Sequence, residues 1–352
     1  MPASSIISFV VIALKGGWQD MGYSVGIGLT NDCNLNCAHC YRDTTSISYI
    51  SLAQVQQLCE AIPIDAVGMG TGENGLHPEF PEIVQYLTDQ GIKMSVASNG
   101  YTIAAIPEQL LAQFHDVEVS IDFPTEQEQD AFRGPGNWAL VNEAIQRAQK
   151  LGVEVSILTT LMRPNYAKMD QMVTLARDVG TNLRVNAYQP VQTSEFRLGF
   201  FEFWEGYRLL FQEGLAVSCS EPVVRAAMGL PDVQSPCGWQ SIRINPAGQV
   251  IPCVYWPLQD MQGMIPTLQD LQEQGVAVLE NNLFSLARSE PASASECPCH
   301  GGCASRRALN GVLDAHDEYC PWVKGEEMKL EWRPAPEKNL ARIGNVCTTI
   351  VV

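Results

Sequence analysis

The chain has 352 residues, with 39 acidic against 22 basic side chains, a formal net charge of −17, 46% apolar residues and 12 cysteines. At roughly 100 to 200 residues per domain, that length predicts two domains, or one large barrel with an appendage, and enough apolar residue to bury a core. So acidic a chain is short of the Lys and Arg that phosphate contacts require, which argues against nucleic acid and leaves peptides and small molecules as partners.

In chain order, the first apolar run is Ile6 to Leu14. It has no basic residue before it and no cleavage-site pattern after it, and it is too short to span a bilayer. Residues 1–22 therefore read as an N-terminal arm or strand of a cytoplasmic protein with no membrane partner. In a reducing compartment, clustered cysteines bind metal more often than each other.

From Tyr23 to about Phe211, short apolar runs alternate with helical patterns. The expected strands are Ser24 to Leu29, Ala66 to Met69, Lys93 to Ala97, Val117 to Ile121, Val153 to Thr159 and Leu183 to Ala187. Between them lie amphipathic stretches at Leu52 to Ile62, Glu79 to Leu87, Pro107 to Phe114, Trp138 to Leu151 and Tyr166 to Val179. Six such units suit a parallel sheet curled into an open, partial (β/α)6 barrel, with the reactive loops at the C-terminal ends of the strands. A helix follows around Phe201 to Gln212, and its aromatic start reads as packing, or as the lining of a peptide groove. Beyond it the sequence is irregular, with one readable hairpin (Ser241 to Ile244, a turn at Asn245 to Gly248, then Gln249 to Tyr255) and short helices at Val278 to Ala287 and Ala304 to Val312. A region so poor in regular elements usually needs a metal staple. The expected divisions are 1–22, a barrel at 23–214, a cysteine-rich domain at 215–325 and a tail at 326–352.

Three cysteines follow the first strand as C-x3-C-x2-C, namely Cys33, Cys37 and Cys40, with Tyr41 next. Three thiolates on one loop can hold three irons of a [4Fe-4S] cluster and leave the fourth iron open; a zinc site borrowing His39 is the alternative. The spacing resembles that of radical S-adenosylmethionine (SAM) enzymes. The resemblance implies that the three thiolates bind the cluster, that the open iron is chelated by SAM, and that one electron from an external donor releases a 5′-deoxyadenosyl radical. Loops after the next strands fit in order. Gly70-Thr-Gly72-Glu73 resembles the family's Gly-Gly-Glu motif, whose acid receives the SAM ammonium, with Thr71 as the departure. Ser98-Asn99 resembles the ribose-contacting loop, and Ser120-Ile-Asp122 the family's Ser-x-Asp near ribose or substrate.

The second cysteine array begins with Cys237 and Cys253, a C-x15-C containing Gly248 four residues short of Cys253, and continues as Cys297-x-Cys299-x3-Cys303-x16-Cys320. It resembles the SPASM or twitch-like auxiliary-cluster domain of peptide-modifying radical SAM enzymes. One auxiliary [4Fe-4S] cluster is implied, and a second if Cys219 or Cys347 adds a ligand; a structural zinc module is the alternative. Cys347 reads equally as a cluster ligand, a hydrogen donor or an ordinary thiol. Cys59 reads as a buried apolar residue of a helix. Arg184, Asn186, Tyr188 and Gln189 are expected at the barrel mouth, and Arg306 and Arg307 read as solvated.

Arg184 to Pro190, Ser218 to Pro222 and Gly301 to Arg307 further resemble bacterial maturases of ribosomally made peptides with nitrile-hydratase-like leaders. That subgroup contains spliceases, which excise a tyrosine-derived unit and leave an α-keto-β-amino acid. Epimerisation, carbon–carbon or thioether cross-linking, and a non-enzymatic iron–sulfur or zinc scaffold are the other readings. Only about 22 residues precede the first strand, which is short for a leader-binding domain, so a separate small leader-recognition protein is expected as partner of enzyme and precursor.

Overall fold

A computed structural model describes residues 22–230, 237–239, 241–259, 261, 263–336 and 348–351. Cys347 and nearly all of the N-terminal arm lie outside the described residues. The barrel is built from β1 (Tyr23–Gly28), α1 (Leu52–Ala61), β2 (Ile64–Gly70), α2 (Phe80–Asp89), β3 (Lys93–Ser98), α3 (Tyr101–Ala105), α4 (Glu108–Leu111), β4 (Asp116–Ser120), α5 (Glu126–Arg133), α6 (Asn137–Lys150), β5 (Glu154–Leu161), α7 (Met169–Asp178), β6 (Asn182–Ala187) and α8 (Phe200–Glu213). Each of the six expected strands is present, within two residues of its expected bounds.

The helices begin and face as their sequences dictate. Ser51 and Gln54 form a reciprocal capping box at the start of α1. In α6, the buried residues Val141, Ala144, Ile145 and Ala148 recur at helical spacing and lay one apolar stripe on the sheet. Strands β1 to β6 run parallel in sequence order, as crossover helices require.

The sheet does not stop at six strands. β8 (Ser241–Ile244) pairs parallel with β1 and β9 (Val250–Ile251) turns back on β8. The turn between them depends on Asn245, whose Oδ1 accepts from the backbone N–H groups of Ala247 and Gln249 at 3.1 and 3.0 Å, and on Gly248 at φ 75°. At the other edge β10 (Thr348–Val351) lies antiparallel between β6 and β7 (Ala216–Cys219). Both edges of the barrel sheet are thus closed by strands from beyond α8. The remaining helices, α9 (Pro222–Ala227), α10 (Leu268–Gln274), α11 (Asn282–Arg288) and α12 (Ala304–Leu309), are short.

The barrel interior is polar where a parallel sheet is usually apolar. Asp116 and Glu118 on β4 and Arg184 on β6 form a buried ion cluster, with Arg184 Nη2 2.9 Å from Asp116 and Nη1 bonded to Glu118. Burial pushes the Asp116 carboxyl up to about 7, with Glu118 adding to it against the pull of Arg184. Arg184, expected at the mouth, is therefore fully buried and occupied by this pairing, because its place on β6 is two residues below Asn186, which does line the cavity.

Candidate active site at the C-terminal ends of the barrel strands

The loop after β1 is braced from within. Asn31 donates to the carbonyls of Asp43 and Ser46 at 2.8 and 2.5 Å and accepts from Ser48 N, while Arg42 donates to the carbonyls of Asn31 and Leu35 at 2.7 and 2.6 Å. These bonds hold a ten-residue excursion in which Cys33, Cys37 and Cys40 all line one cavity of about 270 Å³. Cys33 Sγ accepts N–H bonds from Leu35 and from the Asn99 side chain at 3.5 and 3.6 Å, the kind of support a metal-bound thiolate receives. Three half-buried thiols on one wall fit three thiolate ligands of an iron–sulfur cluster.

The opposite wall is built around Glu73. Its carboxylate is buried and accepts from the Ser98 hydroxyl (2.6 Å), Asn99 N (2.8 Å), Thr102 N (2.9 Å) and the Thr102 hydroxyl. Three of these four donors reach Oε1, so Oε2, with one, keeps acceptor capacity toward the cavity. Gly72 is essential to this placement: at φ 66° its hydrogen faces the carbonyls of Asp32 and Thr30, which a Cβ would meet at 2.4 and 2.5 Å. Thr71 also sits in the left-handed region, at φ 67°, a costly conformation for a β-branched residue. The Tyr41 hydroxyl holds it through a 2.9 Å bond to Thr71 Oγ1, and burial pushes the Tyr41 phenol up to about 12, so it stays protonated.

Gly72, Glu73, Ser98, Asn99, Ser120 and Tyr41 line the same cavity as the thiols. Ser98 and Asn99 also serve Glu73 and the thiol loop, Asn99 Nδ2 reaching Asn34 Oδ1 at 2.8 Å. Asp122 is placed differently from its neighbours. It is fully buried, accepts from Thr160 N at 2.9 Å and pairs with Arg133 at 2.8 Å and His39 at 3.5 Å, and it is Arg133 that lines the cavity. Burial opposes its charge, but Arg133 and His39 hold its carboxyl below the usual range; burial lowers His39 to about 4, leaving that imidazole neutral. Asp122 thus positions a cation rather than touching what the cavity holds.

Sequence reasoning missed all three arginines that line the cavity, Arg42, Arg133 and Arg243. Arg133 ends α5, a helix whose only buried residue is Gln129, so no apolar periodicity marks it; the Thr125-x-x-Glu128 pair at its start is the available signal. Arg243 enters from β8 across Gly26, where a Cβ would meet its Cδ at 2.3 Å. Nothing local in the sequence announces that close approach.

The second cysteine array divides in two. Cys297, Cys299 and Cys320 bring their Sγ atoms within 4.8 Å of one another, all buried, and this group fits an auxiliary centre. Cys237 and Cys253 instead line the main cavity, beside Tyr255, whose ring meets Tyr41 edge-on at 5.1 Å. Cys303 interacts electrostatically with Cys253 and takes its backbone N–H bond, at 2.8 Å, to Asp317. Cys219 ends β7, buried, with Sγ 3.9 Å from the Glu221 carbonyl. Cys59, expected to be buried, lies half-buried on α1 and packs against the edge of the core, with burial raising its thiol to about 11.

Arg306 and Arg307 are not solvated. Arg306 is 0% exposed and pairs with Glu221 and Asp317 at 2.6 and 2.5 Å, and Arg307 bonds to the carbonyls of Ser289 and Leu313. Their side chains are buried because acidic side chains and carbonyls from other segments, Glu221, Asp317, Ser289 and Leu313, take up the guanidinium donors inside the fold. The aromatic face of α8 packs against this region: Phe203 stacks on Tyr319 at 4.1 Å and Trp204 Nε1 donates to the Tyr319 carbonyl at 3.1 Å.

Comparison with known proteins agrees with this geometry. Residues 27–176 match the radical SAM superfamily. The chain is 28% identical to the mycofactocin maturase MftC of Mycobacterium tuberculosis over 325 residues, covering 83% of this chain and 81% of the relative. It is 24% identical to the subtilosin biosynthesis protein AlbA of Bacillus subtilis, with 86% and 71% covered. Among solved structures, SuiB of Streptococcus suis superposes with a TM-score of 0.66 at 12% identity over 85% of this chain and 77% of that one. AdoMet-bound anSMEcpe gives 0.65 at 18% identity, over 85% and 94%. A cysteine loop opening a parallel barrel, an added cysteine cluster beyond it and the match of residues 27–176 to the radical SAM superfamily agree that the protein is a SAM- and [4Fe-4S]-dependent enzyme.

Proposed function

We propose that the protein is a radical SAM maturase of a ribosomally made peptide, and that its reaction is the excision of a tyrosine-derived unit from a precursor. The observation that carries the first part is a single cavity lined at once by Cys33, Cys37, Cys40, Glu73, Asn99, Cys237 and Cys253. Named relatives are a mycofactocin maturase and a bacteriocin biosynthesis protein, which supports a peptide substrate.

When bound, the cluster and SAM supply a 5′-deoxyadenosyl radical that removes a hydrogen from the substrate. In this reading the chain's own residues do the positioning. Cys33, Cys37 and Cys40 are the cluster ligands. Glu73 Oε2 receives the SAM ammonium, and Arg133, held by Asp122, pairs with its carboxylate. Ser98, Asn99 and Ser120 face the ribose, and Gly72 and Tyr41 shape the backbone beside it. Asn186, Tyr188 and Gln189, lining the same cavity from β6 and the residues after it, face the peptide. Cys237, Cys253 and Cys303 would form one auxiliary group and Cys297, Cys299 and Cys320 the other, with Cys219 and Cys347 as further candidate ligands. A precursor with a leader, a separate small leader-recognition protein and an external one-electron donor complete the proposal.

Co-expression with a precursor encoded nearby, followed by mass spectrometry, tests it. Loss of a tyrosine-derived fragment supports splicing, loss of two hydrogens indicates a cross-link, and an unchanged mass with deuterium uptake indicates epimerisation. Anaerobically reconstituted protein that releases no 5′-deoxyadenosine from SAM would remove the enzyme reading altogether.

A further inference from the structure

His316 stands beside the buried group formed by Cys297, Cys299 and Cys320. Its Nδ1 is 3.3 Å from Cys297 Sγ, while Cys297 Sγ is 3.1 Å from Cys299 Sγ and Cys299 Sγ 3.2 Å from Cys320 Sγ. The remaining ring nitrogen is engaged: His316 Nε2 lies 2.7 Å from Ser293 Oγ. An imidazole with one nitrogen on the ligand side and the other fixed by a hydroxyl is the arrangement metal-binding histidines adopt, because the outer hydrogen bond sets the tautomer and aims the free lone pair.

The thiol that chain order would supply as the fourth ligand goes elsewhere. His300, Gly301 and Gly302 take φ values of 47°, 82° and 77° in succession, reversing the chain between Cys299 and Cys303. Gly302 is pinned there, since a Cβ would meet Asp317 Cβ at 2.3 Å. Cys303 then turns toward Ser305, its Sγ 3.2 Å from the Ser305 hydroxyl, and is not among the three grouped thiols. Three thiols remain, with the His316 imidazole beside Cys297 at the edge of the group.

We propose that His316 Nδ1 is the fourth protein ligand of the centre held by Cys297, Cys299 and Cys320, making it a three-thiolate, one-imidazole metal site. A neutral imidazole in place of a thiolate leaves the centre one unit less negative, which for an iron–sulfur cluster raises its potential. The same donor set would also serve a tetrahedral zinc ion. The inference rests on the auxiliary-centre reading of this cysteine group.

The test uses full-length reconstituted protein grown with ¹⁵N-histidine or with ordinary histidine, beside His316→Ala and His316→Cys. Metal analysis decides the spectroscopy. For iron, pulsed EPR of the reduced protein is expected to show a directly bound nitrogen whose frequency follows the label and which disappears in both variants. For zinc, X-ray absorption is expected to give three sulfur and one nitrogen scatterers, and four sulfurs in His316→Cys. Because a cysteine can replace the ligand, His316→Cys should keep the wild-type metal content while losing the nitrogen signal, separating ligation from misfolding. A wild-type metal content with no label-dependent nitrogen, or with four sulfurs, overturns the ligand assignment and leaves the auxiliary centre standing. Metal sufficient only for the cluster of Cys33, Cys37 and Cys40 overturns both.

Discussion

Replacing Arg306 with methionine removes the cation from a buried ion cluster and leaves two carboxylates facing each other. Its Nη2 lies 2.6 Å from Glu221 Oε1 and 2.5 Å from Asp317 Oδ2, its Nε 2.8 Å from Asp317 Oδ1, and its guanidinium 4.8 Å from the Tyr319 ring. Burial opposes the charge on Arg306, but Asp317 and Glu221 outweigh it and hold the guanidinium protonated. Breaking a buried pair by deleting one partner costs about 3–5 kcal/mol. That is roughly two to three and a half decades in the folded-to-unfolded ratio, a large part of the stability of an ordinary domain. The loss should also reach the metal, because Asp317 accepts from Cys303 N at 2.8 Å through its side chain and from Cys320 N at 2.9 Å through its carbonyl. Urea unfolding of anaerobic holoprotein, with metal content followed in parallel, measures both effects. Adding Glu221→Gln and Asp317→Asn to Arg306→Met should recover much of the stability, since the carboxylates are then neutral amides of similar shape. An Arg306→Met midpoint shift worth less than about 1 kcal/mol, with unchanged metal content, would refute the reasoning.

The other predictions concern the cavity and the barrel floor. Gly72→Ala should destabilise the protein by about 1–3 kcal/mol and displace Glu73, because its Cβ would meet the Asp32 carbonyl at 2.4 Å; SAM binding measured calorimetrically should fall with it, and a wild-type affinity would count against the role of Glu73. Asp122→Asn should weaken SAM binding by roughly tenfold through a misplaced Arg133 while leaving iron content unchanged; loss of iron instead would point to a purely structural effect. At the barrel floor, Asp116 is raised to about 7, so the folded state holds its proton more tightly than the unfolded chain. Its contribution to stability is therefore present at low pH and lost as pH rises from about 4 to about 7. Asp116→Asn should remove that slope and gain on the wild type as pH rises from 5 to 8; parallel unfolding profiles across that range would contradict it.

Much of this was legible because the barrel repeats one physical pattern. Apolar strands bounded by turn residues, and helices such as α6 with one apolar stripe, are visible without tertiary information, and the reactive loops follow from strand ends. What escaped depends on contacts distant in sequence. α5 is nearly all polar, so its Arg133 could be found only from a capping pair. Arg306 looks like a surface residue until Glu221, 85 positions away, is brought beside it. The separation of Cys303 from Cys297, Cys299 and Cys320 depends on three successive left-handed residues, which cysteine spacing does not encode. Asp122 illustrates a subtler limit: a motif can indicate that an acid matters without indicating whether it touches the ligand or holds the residue that does.

The strand β10 has a consequence for how the protein reaches its active form. It pairs with β6 through Thr348↔Asn186 and its neighbours, a closure spanning about 160 residues of intervening chain, and such distant pairings are slow to form. During synthesis the β6 edge stays open until everything between, including both groups of C-terminal cysteines, has been made. An unpaired edge is a template for association with other chains. Completion of the sheet therefore waits on the end of the chain, and the C-terminal cysteine groups are all in place before the β6 edge is covered.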